Sequence, residues 1–313
     1  MESAPPRSAP RPSSVIPQAV RKLGTVIRRT FELWWDDNAM RLGAALAYYT
    51  VFSMTPFLIV VIAVAGLMVD SAVAEQQIVA QISSVIGEDG GRGVAALLTA
   101  ARQPGAGVFA TVTSIVTILL GATAVFSELQ SGLNGIWRVA VPATSMRQLL
   151  RARLRSFALV VGIGFLFVVS LVVRAVAAAV QIWIGSTFAI THDLLAILLS
   201  ATMFAMIFKI LPETPVAWRD VAVGALVTAV LFTVGQAGLG RYLGHSTVAS
   251  VYGAAGSLVV ILVWVYYSAQ VFFLGAEFTH VWATTYGSRS GEFEAARAGA
   301  PAPPSPRLTT DAG

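Results

Sequence analysis

The chain has 313 residues, of which 56% are hydrophobic and 12% charged, and its formal net charge is +5. A typical soluble domain carries about 25% charged residues, so this composition excludes an ordinary soluble protein of this size. The chain contains no cysteine, which excludes disulfides and thiolate catalysis. Because the apolar residues fall in long runs, the sequence predicts one all-α bundle of membrane-spanning helices with short soluble tails.

The N-terminal region divides into two parts. Residues 1–18 are rich in proline, serine and alanine, and we expect a disordered cytoplasmic tail because such a segment cannot bury a core. Over residues 19–36, apolar side chains such as Leu23, Ile27 and Phe31 recur at helical spacing. This pattern predicts a basic amphipathic helix, which lies either along the headgroup layer or against the inner end of the bundle.

Six apolar segments follow within a predicted transmembrane domain over residues 37–286. A helix needs about 20 residues to cross the hydrocarbon layer, and each segment is near or above that length. The segments cover residues 42–68, 107–126, 156–176, 190–208, 221–240 and 251–276. Pro56 lies inside the first segment and predicts a kink or a break there, because proline removes a backbone hydrogen-bond donor.

The longest predicted external segment covers residues 69–106. Apolar side chains such as Val73 and Ile78 are typical of one amphipathic helix, and Val94 lies at the start of a second. The residues Glu88-Asp89-Gly90-Gly91 are predicted to form the turn between them. We therefore expect an external amphipathic helical hairpin that caps the outer face of the bundle.

Arginine and lysine residues are distributed unevenly between the two predicted sides of the membrane. Seventeen lie in the N-terminal region, in the loops after the second and fourth segments, and in the C-terminal tail, whereas three lie on the other side. Positive residues concentrate in cytoplasmic loops. The sequence therefore predicts a multi-pass protein of the bacterial inner membrane with both termini in the cytoplasm. The proline- and alanine-rich tail over residues 287–313 is predicted to be disordered.

The residues that most enzymes use are scattered or absent. His192 and His245 are predicted outside and His280 inside, so the three histidines cannot form one metal site. No phosphate-binding loop or nucleophile elbow occurs, and we expect no catalytic residue, no metal and no cofactor. The basic loop Arg147–Arg155 has the charge of an RNA-binding patch. Inside-positive topology with contact to anionic lipid explains it without a nucleic acid partner.

Charged side chains near the predicted span ends have two interpretations. They mark the edges of the spans, or they have a function at the cytoplasmic mouth of the bundle. As candidate mouth residues we take Glu128, Arg138, Lys209 and Glu277, in which Glu277 could pair with Arg138 and Glu128 with Lys209.

Small and neutral polar residues also lie within the spans. Gly235-Gln236-Ala237-Gly238 is predicted to allow close approach of two helices. The hydroxyl and amide side chains either hydrogen-bond between helices or line a path for an amphiphile. No carboxylate relay for proton coupling is visible, which favours an amphiphile over an ion. The hypothetical path comprises Tyr48, Tyr49, Ser53, Pro56, Asn134, Tyr266 and Gln270.

Several motifs occur in order between residues 37 and 280. They are Asp37-Asn38-Ala39, Ala47-Tyr48-Tyr49-Thr50 leading to Pro56, Leu129-Gln130-Ser131-Gly132-Leu133-Asn134-Gly135-Ile136-Trp137, Leu211-Pro212 with Trp218-Arg219-Asp220, and Val251-Tyr252-Gly253 with Gly275-Ala276-Glu277-Phe278. With these motifs the chain resembles the YihY/BrkB family of bacterial inner-membrane proteins. The resemblance implies six helices and cytoplasmic termini, and it supplies no catalytic residues. Members have been labelled ribonuclease BN, and some are associated with serum resistance and transport of lipopolysaccharide-type lipids.

Together these observations predict a protein that transports or organises an envelope lipid or another amphiphile. Membrane lipids are its expected partners, and a homo-oligomer is compatible with the sequence. One alternative is a scaffold for envelope assembly that transports nothing. A membrane-bound ribonuclease is the other alternative, and the absence of a metal-ligand cluster argues against it.

Overall fold

A computed structural model describes residues 18–65, 70–101, 124–139, 188–245 and 255–290. All regular structure within these ranges is helical, which confirms the predicted all-α class for this part of the chain. The helices are α1 (Gln18–Asp36), α2 (Ala39–Ala65), α3 (Ser71–Ile86), α4 (Glu88–Ala101), α5 (124–136), α6 (Phe188–Ile210), α7 (Trp218–His245) and α8 (Gly256–Thr285).

Some predicted elements lie outside the described residues. These are most of the two tails, nearly all of the second predicted span, the whole of the third, and the basic loop between them. The first, fourth, fifth and sixth predicted spans coincide with α2, α6, α7 and α8. Of the described helices, α7 over Trp218–Tyr242 and α8 are long and apolar enough to cross a membrane, and α6 contains a shorter apolar stretch over Ala196–Ile210.

Helix α8 is the centre of the packing. It contacts α2 and α7 most extensively, then α1 and α4, while α6 packs along α7. Phenylalanine rings from two helices fill the middle of this core: Phe204 and Phe208 of α6 contact Phe272 of α8, with ring centroids 6.4 Å and 5.2 Å apart. A second cluster joins α2, α4 and α8 around Leu58 and Ile261.

Helices α7 and α8 approach closely through four residues that we call the Gly/Thr quartet: Gly224, Thr228, Gly275 and Thr279. A Cβ atom on Gly224 would overlap the Thr279 side chain, and a Cβ on Gly275 would overlap that of Thr228. Each threonine Oγ1 donates to the carbonyl of the glycine one turn earlier in its own helix, at 2.7 Å. The quartet therefore brings two backbones together without leaving a buried hydroxyl unpartnered.

The close approach predicted at Gly235-Gln236-Ala237-Gly238 holds in part. The Tyr267 hydroxyl of α8 lies against Gly235, whereas a Cβ on Gly238 would meet nothing within 4 Å. Glycine is therefore required at one of these two positions for packing.

Helix α2 continues through Pro56 to Ala65, so the predicted break does not occur. Near its start α2 touches α8, because a Cβ atom on Gly43 would overlap the Gln270 side chain. The Gln270 Nε2 atom lies 3.5 Å and 3.4 Å from the carbonyl oxygens of Ala39 and Met40. This side chain therefore fixes the first turn of α2 against α8.

Helices α3 and α4 follow each other directly and pack together. Gly87 separates them with a φ of 86°, a left-handed conformation that glycine adopts without strain. The predicted turn over Glu88-Asp89-Gly90-Gly91 is wrong, since α4 already begins at Glu88. Two carboxylates in the first turn of a helix favour its N-terminus through the helix dipole, which explains why these residues are helical.

Candidate functional site

The site lies at the end of the bundle where α5 and α8 end and α2 begins. Its first residue, Asp37, occupies the two-residue turn between α1 and α2. Asn38 in this turn has a φ of 54°, and its Nδ2 atom donates to the Asp36 carbonyl at 3.2 Å. Asparagine tolerates this left-handed conformation better than most residues. The turn thus places the Asp37 carboxylate in the gap between α5 and α8.

The second residue, Arg138, comes from the end of α5. It has a φ of 53°, and its backbone N–H donates to the Gly135 carbonyl at 3.0 Å as the helix terminates. The Arg138 Nη1 atom contacts Asp37 Oδ1 at 2.7 Å. The side chain of Asp37 is only 11% exposed and that of Arg138 is 55% exposed, so this ion pair closes one edge of the site toward solvent.

The third residue, Glu277, lies on α8 and is completely buried. Its carboxyl group interacts with that of Asp37. Neither Glu277 oxygen accepts a hydrogen bond from a donor, and Asp37 Oδ2 also lacks one. Ionised carboxylates contain acceptors only, so two that face each other interact without either one receiving a hydrogen bond. The Asp37 and Glu277 carboxyl groups therefore face each other.

One turn further along α8, His280 completes what we call the carboxyl cluster: Asp37, Arg138, Glu277 and His280. Its ring lies 5.2 Å from that of Trp137, and its Nδ1 atom is buried without a hydrogen-bond partner. Arg289 lies over the other ring of this pair, 5.7 Å from the Trp137 centroid. Buried polar atoms normally find partners, so several unpartnered ones in one cluster distinguish this region.

A second buried carboxylate, Asp220, differs from Glu277 in that one of its oxygens accepts hydrogen bonds, while its Oδ1 atom lacks a partner. It is completely buried in the first turn of α7. Its Oδ2 atom accepts hydrogen bonds from Ser288 N at 2.9 Å and from Ser288 Oγ at 2.6 Å. Asp220 thus connects the start of α7 to the segment after α8, and it has the geometry of a structural carboxylate.

Two other predicted residues lie near the segment that joins α6 to α7. Lys209 Nζ donates to the Val216 carbonyl and lies 5.5 Å from the Trp218 ring centroid. Asn134 is buried, and its Oδ1 atom accepts from Glu213 N at 2.9 Å. No ion pair between Glu128 and Lys209 is found among the described residues. Lys209 and Asn134 therefore hold a connecting segment in place.

On α2 an aromatic surface is left uncovered. Tyr48 is 56% exposed and Phe52 is 64% exposed, with their ring centroids 4.7 Å apart. Tyr49 is the third member, with its centroid 5.5 Å from that of Tyr48. Ser53 Oγ donates to the Thr50 carbonyl at 3.1 Å and so does not need a partner from another helix. We call Tyr48, Tyr49 and Phe52 the α2 aromatic face.

The seven predicted path residues therefore occupy different surroundings. Tyr48 and Tyr49 are exposed, Tyr266 packs against the cluster around Leu58, and Asn134 and Gln270 hold backbone segments. The side chain of Pro56 lies outside what the structure describes. Of the four mouth residues, Arg138 and Glu277 lie in one cluster. Asp37 is the site residue that the sequence did not single out, although it opens the first motif of the family resemblance.

Comparison with known proteins gives one consistent result. The sequence model of the family described as virulence factor BrkB matches residues 30–299. A UPF0761 membrane protein of Ralstonia nicotianae is 30% identical over 82% of this chain and 58% of its own length. One from Rhodospirillum centenum is 29% identical over 81% of this chain and 56% of its own length. One from Cronobacter sakazakii is 28% identical over 85% of this chain and 92% of its own length. The chain thus spans little more than half of the first two relatives, and no solved structure matches it.

Proposed function

The chain belongs to the virulence factor BrkB family of membrane proteins, and from that premise we propose that it transports or organises an amphiphile of the bacterial envelope. In this proposal it spans the inner membrane six times with both termini in the cytoplasm, and α3 and α4 form an external hairpin. Seventeen basic residues on one predicted side against three on the other support this orientation.

The positions of the helix ends also support this topology. The start of α2 and the ends of α5 and α8 meet in the carboxyl cluster, and the end of α6 and the start of α7 lie beside it. Six spans with cytoplasmic termini require these five ends to share one side. The grouping of these five helix ends favours the proposed topology over one that lacks a span between α2 and α8.

The observation that carries the proposed function is the exposed α2 aromatic face. Tyr48 lies nine residues after the start of α2, about 14 Å along a helix that rises 1.5 Å per residue. The first predicted span begins at Leu42, so Tyr48 lies about 9 Å inside a hydrocarbon layer about 30 Å thick. Tyrosine is ordinarily enriched at the membrane interfaces, where its hydroxyl meets water.

Two phenol hydroxyls at this depth need a partner that the hydrocarbon tails of lipids do not offer. A molecule with acyl chains and polar groups satisfies both the rings and the hydroxyls. We therefore assign the α2 aromatic face to an amphiphile, with Tyr48 and Tyr49 donating to its polar groups and Phe52 contacting its chains. The proposal assigns no catalytic reaction to the protein.

The test identifies the bound lipids. Full-length protein is extracted from its membrane in polymer-bounded particles, and the lipids that accompany it are compared with those of the bulk membrane by mass spectrometry. We expect one amphiphile to be enriched several-fold. The double variant Tyr48→Phe/Tyr49→Phe, which keeps the rings and removes the hydroxyls, should reduce the enrichment.

Tyr242 of α7 provides the matched control, because it is exposed but lies away from the α2 aromatic face near the end of its helix. Tyr242→Phe should leave the enrichment unchanged. A lipid composition equal to that of the bulk membrane would contradict the proposal and favour the scaffold alternative. Translocation of the enriched amphiphile is then measured in reconstituted vesicles. This measurement distinguishes a protein that transports the amphiphile from one that only organises it.

A further inference from the structure

The carboxyl cluster contains two neighbouring acidic side chains, Asp37 and Glu277, with buried oxygens that accept no hydrogen bond. Asp37 and Glu277 face each other, and the Arg138 guanidinium binds Asp37. Glu277 is completely buried, and both of its oxygens lack a donor. A buried carboxylate without a partner is strongly unfavourable, and two adjacent carboxylates repel each other.

A single proton removes both problems. When Glu277 holds a proton, it becomes a hydrogen-bond donor, and Asp37 Oδ2 is the acceptor that it faces. Asp37 then accepts from Arg138 through Oδ1 and from Glu277 through Oδ2. Asp37, Glu277 and His280 do not form a group that could hold a metal ion, and no other such group is found among the described residues.

We propose that Asp37 and Glu277 form a carboxyl pair that binds one exchangeable proton, and that this proton is the coupling ion of the protein. The coupling role rests on the proposed transport function, whereas the proton site does not. The proton comes from water at the half-exposed Arg138 edge, adds to a Glu277 carboxylate oxygen, and leaves by the same route. No other bond forms or breaks.

The position of the pair explains how proton binding reaches the rest of the molecule. Asp37 belongs to the turn that joins α1 to α2, and Glu277 belongs to α8, which packs against both of these helices. Loss of the proton leaves two carboxylates facing each other, while Arg138 at the end of α5 binds the Asp37 carboxylate. The resulting repulsion favours separation of α8 from the α1–α2 turn, and this changes the packing of the helix that bears the α2 aromatic face.

Other charged groups around the pair set the conditions for titration. The surrounding groups are Arg29 of α1, Arg138 at the end of α5, His280 of α8 and Arg289 after α8. Two more are already hydrogen-bonded elsewhere: Asp220 of α7 to Ser288, and Lys209 of α6 to the Val216 carbonyl. The positive charges around the cluster hold the remaining negative charge of the pair in place after the proton binds.

Infrared difference spectroscopy on the full-length protein in lipid nanodiscs tests the site directly. A protonated carboxylic acid has a carbonyl-stretch band that a carboxylate lacks, and the band shifts when the proton is exchanged for deuterium. We expect the wild type to show one such band at neutral pH and to lose it in a single one-proton step as the pH rises. Absence of the band from the wild type would overturn the proposal without any variant.

Variants assign the band to the pair. Glu277→Gln, which preserves shape, should abolish it, and Asp37→Asn, which replaces the acceptor of the Glu277 O–H, should shift it. Asp220→Asn should leave it unchanged, because Asp220 is equally buried but lies outside the pair, with its Oδ2 atom bound to Ser288. A band that persists in Glu277→Gln would also overturn the proposal, since it would then belong to another carboxyl group.

The two proposals fail in different ways. An enriched amphiphile without the band contradicts the proton site and leaves the proposed function standing. The band without any enriched amphiphile contradicts the proposed function and leaves the proton site standing. If both hold, Glu277→Gln should keep the bound amphiphile but lose the response of its translocation to an imposed pH gradient, and an unchanged response would overturn the coupling role.

Discussion

Two regions of helix α8 bury polar groups in opposite ways. In the Gly/Thr quartet, each threonine hydroxyl donates within its own helix, and the facing glycine provides the space for close contact. In the carboxyl cluster, which overlaps the same turns of α8, Glu277 and His280 have buried atoms that no partner satisfies. The two regions are adjacent, so their difference does not reflect depth in the bundle or local sequence composition.

The comparison separates stability from function. Satisfied polar groups stabilise a structure or leave it unaffected, whereas unpartnered buried ones destabilise it by about 1–3 kcal/mol each. A protein retains such groups where strain or charge has a use. We therefore expect substitutions in the quartet to lower stability, and substitutions of Glu277 to change proton binding while leaving stability intact.

The largest effect should come from filling the quartet. Gly224→Val places a branched side chain where even a Cβ atom would overlap Thr279, so α7 and α8 must separate. Overpacking of this kind costs about 1–3 kcal/mol, and we expect the upper end because two backbones are in contact. The measurement is the thermal unfolding temperature of the purified protein in detergent.

Gly240→Val is the matched control, because it lies on the same helix and a Cβ there would meet nothing within 4 Å. It should unfold at the wild-type temperature or slightly above, since valine favours helix over glycine. Equal losses for Gly224→Val and Gly240→Val would show that the quartet is not a tight contact.

A smaller effect is expected from the ion pair at the edge of the carboxyl cluster. Arg138→Gln removes the guanidinium from the nearly buried Asp37, and hydrogen bonds to charged groups contribute about 1.5–3 kcal/mol. Half of the Arg138 side chain is exposed, so we expect a loss near the lower end of that range. The measurement is the thermal unfolding temperature, which should fall.

Arg28→Gln tests the same type of change at the surface. Arg28 pairs with Glu32 one turn away on α1, and both side chains are largely exposed. Such pairs contribute less than about 0.5 kcal/mol, so this variant should match the wild type. If both arginine variants are equally harmless, the Arg138–Asp37 pair is also a surface pair and does not close the cluster.

The smallest of these losses should follow Asn134→Ala. The variant leaves Glu213 N without its acceptor, and one neutral hydrogen bond contributes about 1 kcal/mol. Gln130→Ala is the control, since Gln130 makes an exposed contact with the side chain of the same glutamate. Lower stability of Asn134→Ala with unchanged lipid enrichment would show that Asn134 stabilises the α6–α7 connection. Reduced lipid enrichment would instead support its predicted place in the substrate path.

The apolar runs in the sequence predict the helices well and their ends less well. The sixth predicted span ends at residue 276, yet α8 continues to Thr285. Hydropathy falls at Glu277, Thr279 and His280, although these residues pack against α1, α7 and the end of α5. Tertiary contacts between helices buried them, and no local pattern reports such contacts.

The candidate site was also predictable only in part, because local sequence patterns do not report contacts between helices. Arg138 and Glu277 drew notice as charges near span ends, and the structure places both in the carboxyl cluster. Asp37 follows Asp36 at the end of an amphipathic helix, where an acidic residue is ordinarily solvated. Only the position of the α1–α2 turn shows that one of these two carboxylates points into the bundle.

The most direct test of the central claim compares the two buried carboxylates of this end of the bundle. Thermal unfolding of Glu277→Gln and Asp220→Asn is measured against the wild type at neutral pH, using the fluorescence of the seven native tryptophans. Glu277→Gln should unfold at the wild-type temperature or above it, because its neutral amide donates to Asp37 Oδ2. Asp220→Asn should unfold at a lower temperature, with a loss of about 1–2 kcal/mol from weaker hydrogen bonds to Ser288 and a weaker helix-dipole interaction. If Glu277→Gln loses as much stability as Asp220→Asn, the Glu277 carboxyl is structural, and the distinction between the two regions is wrong.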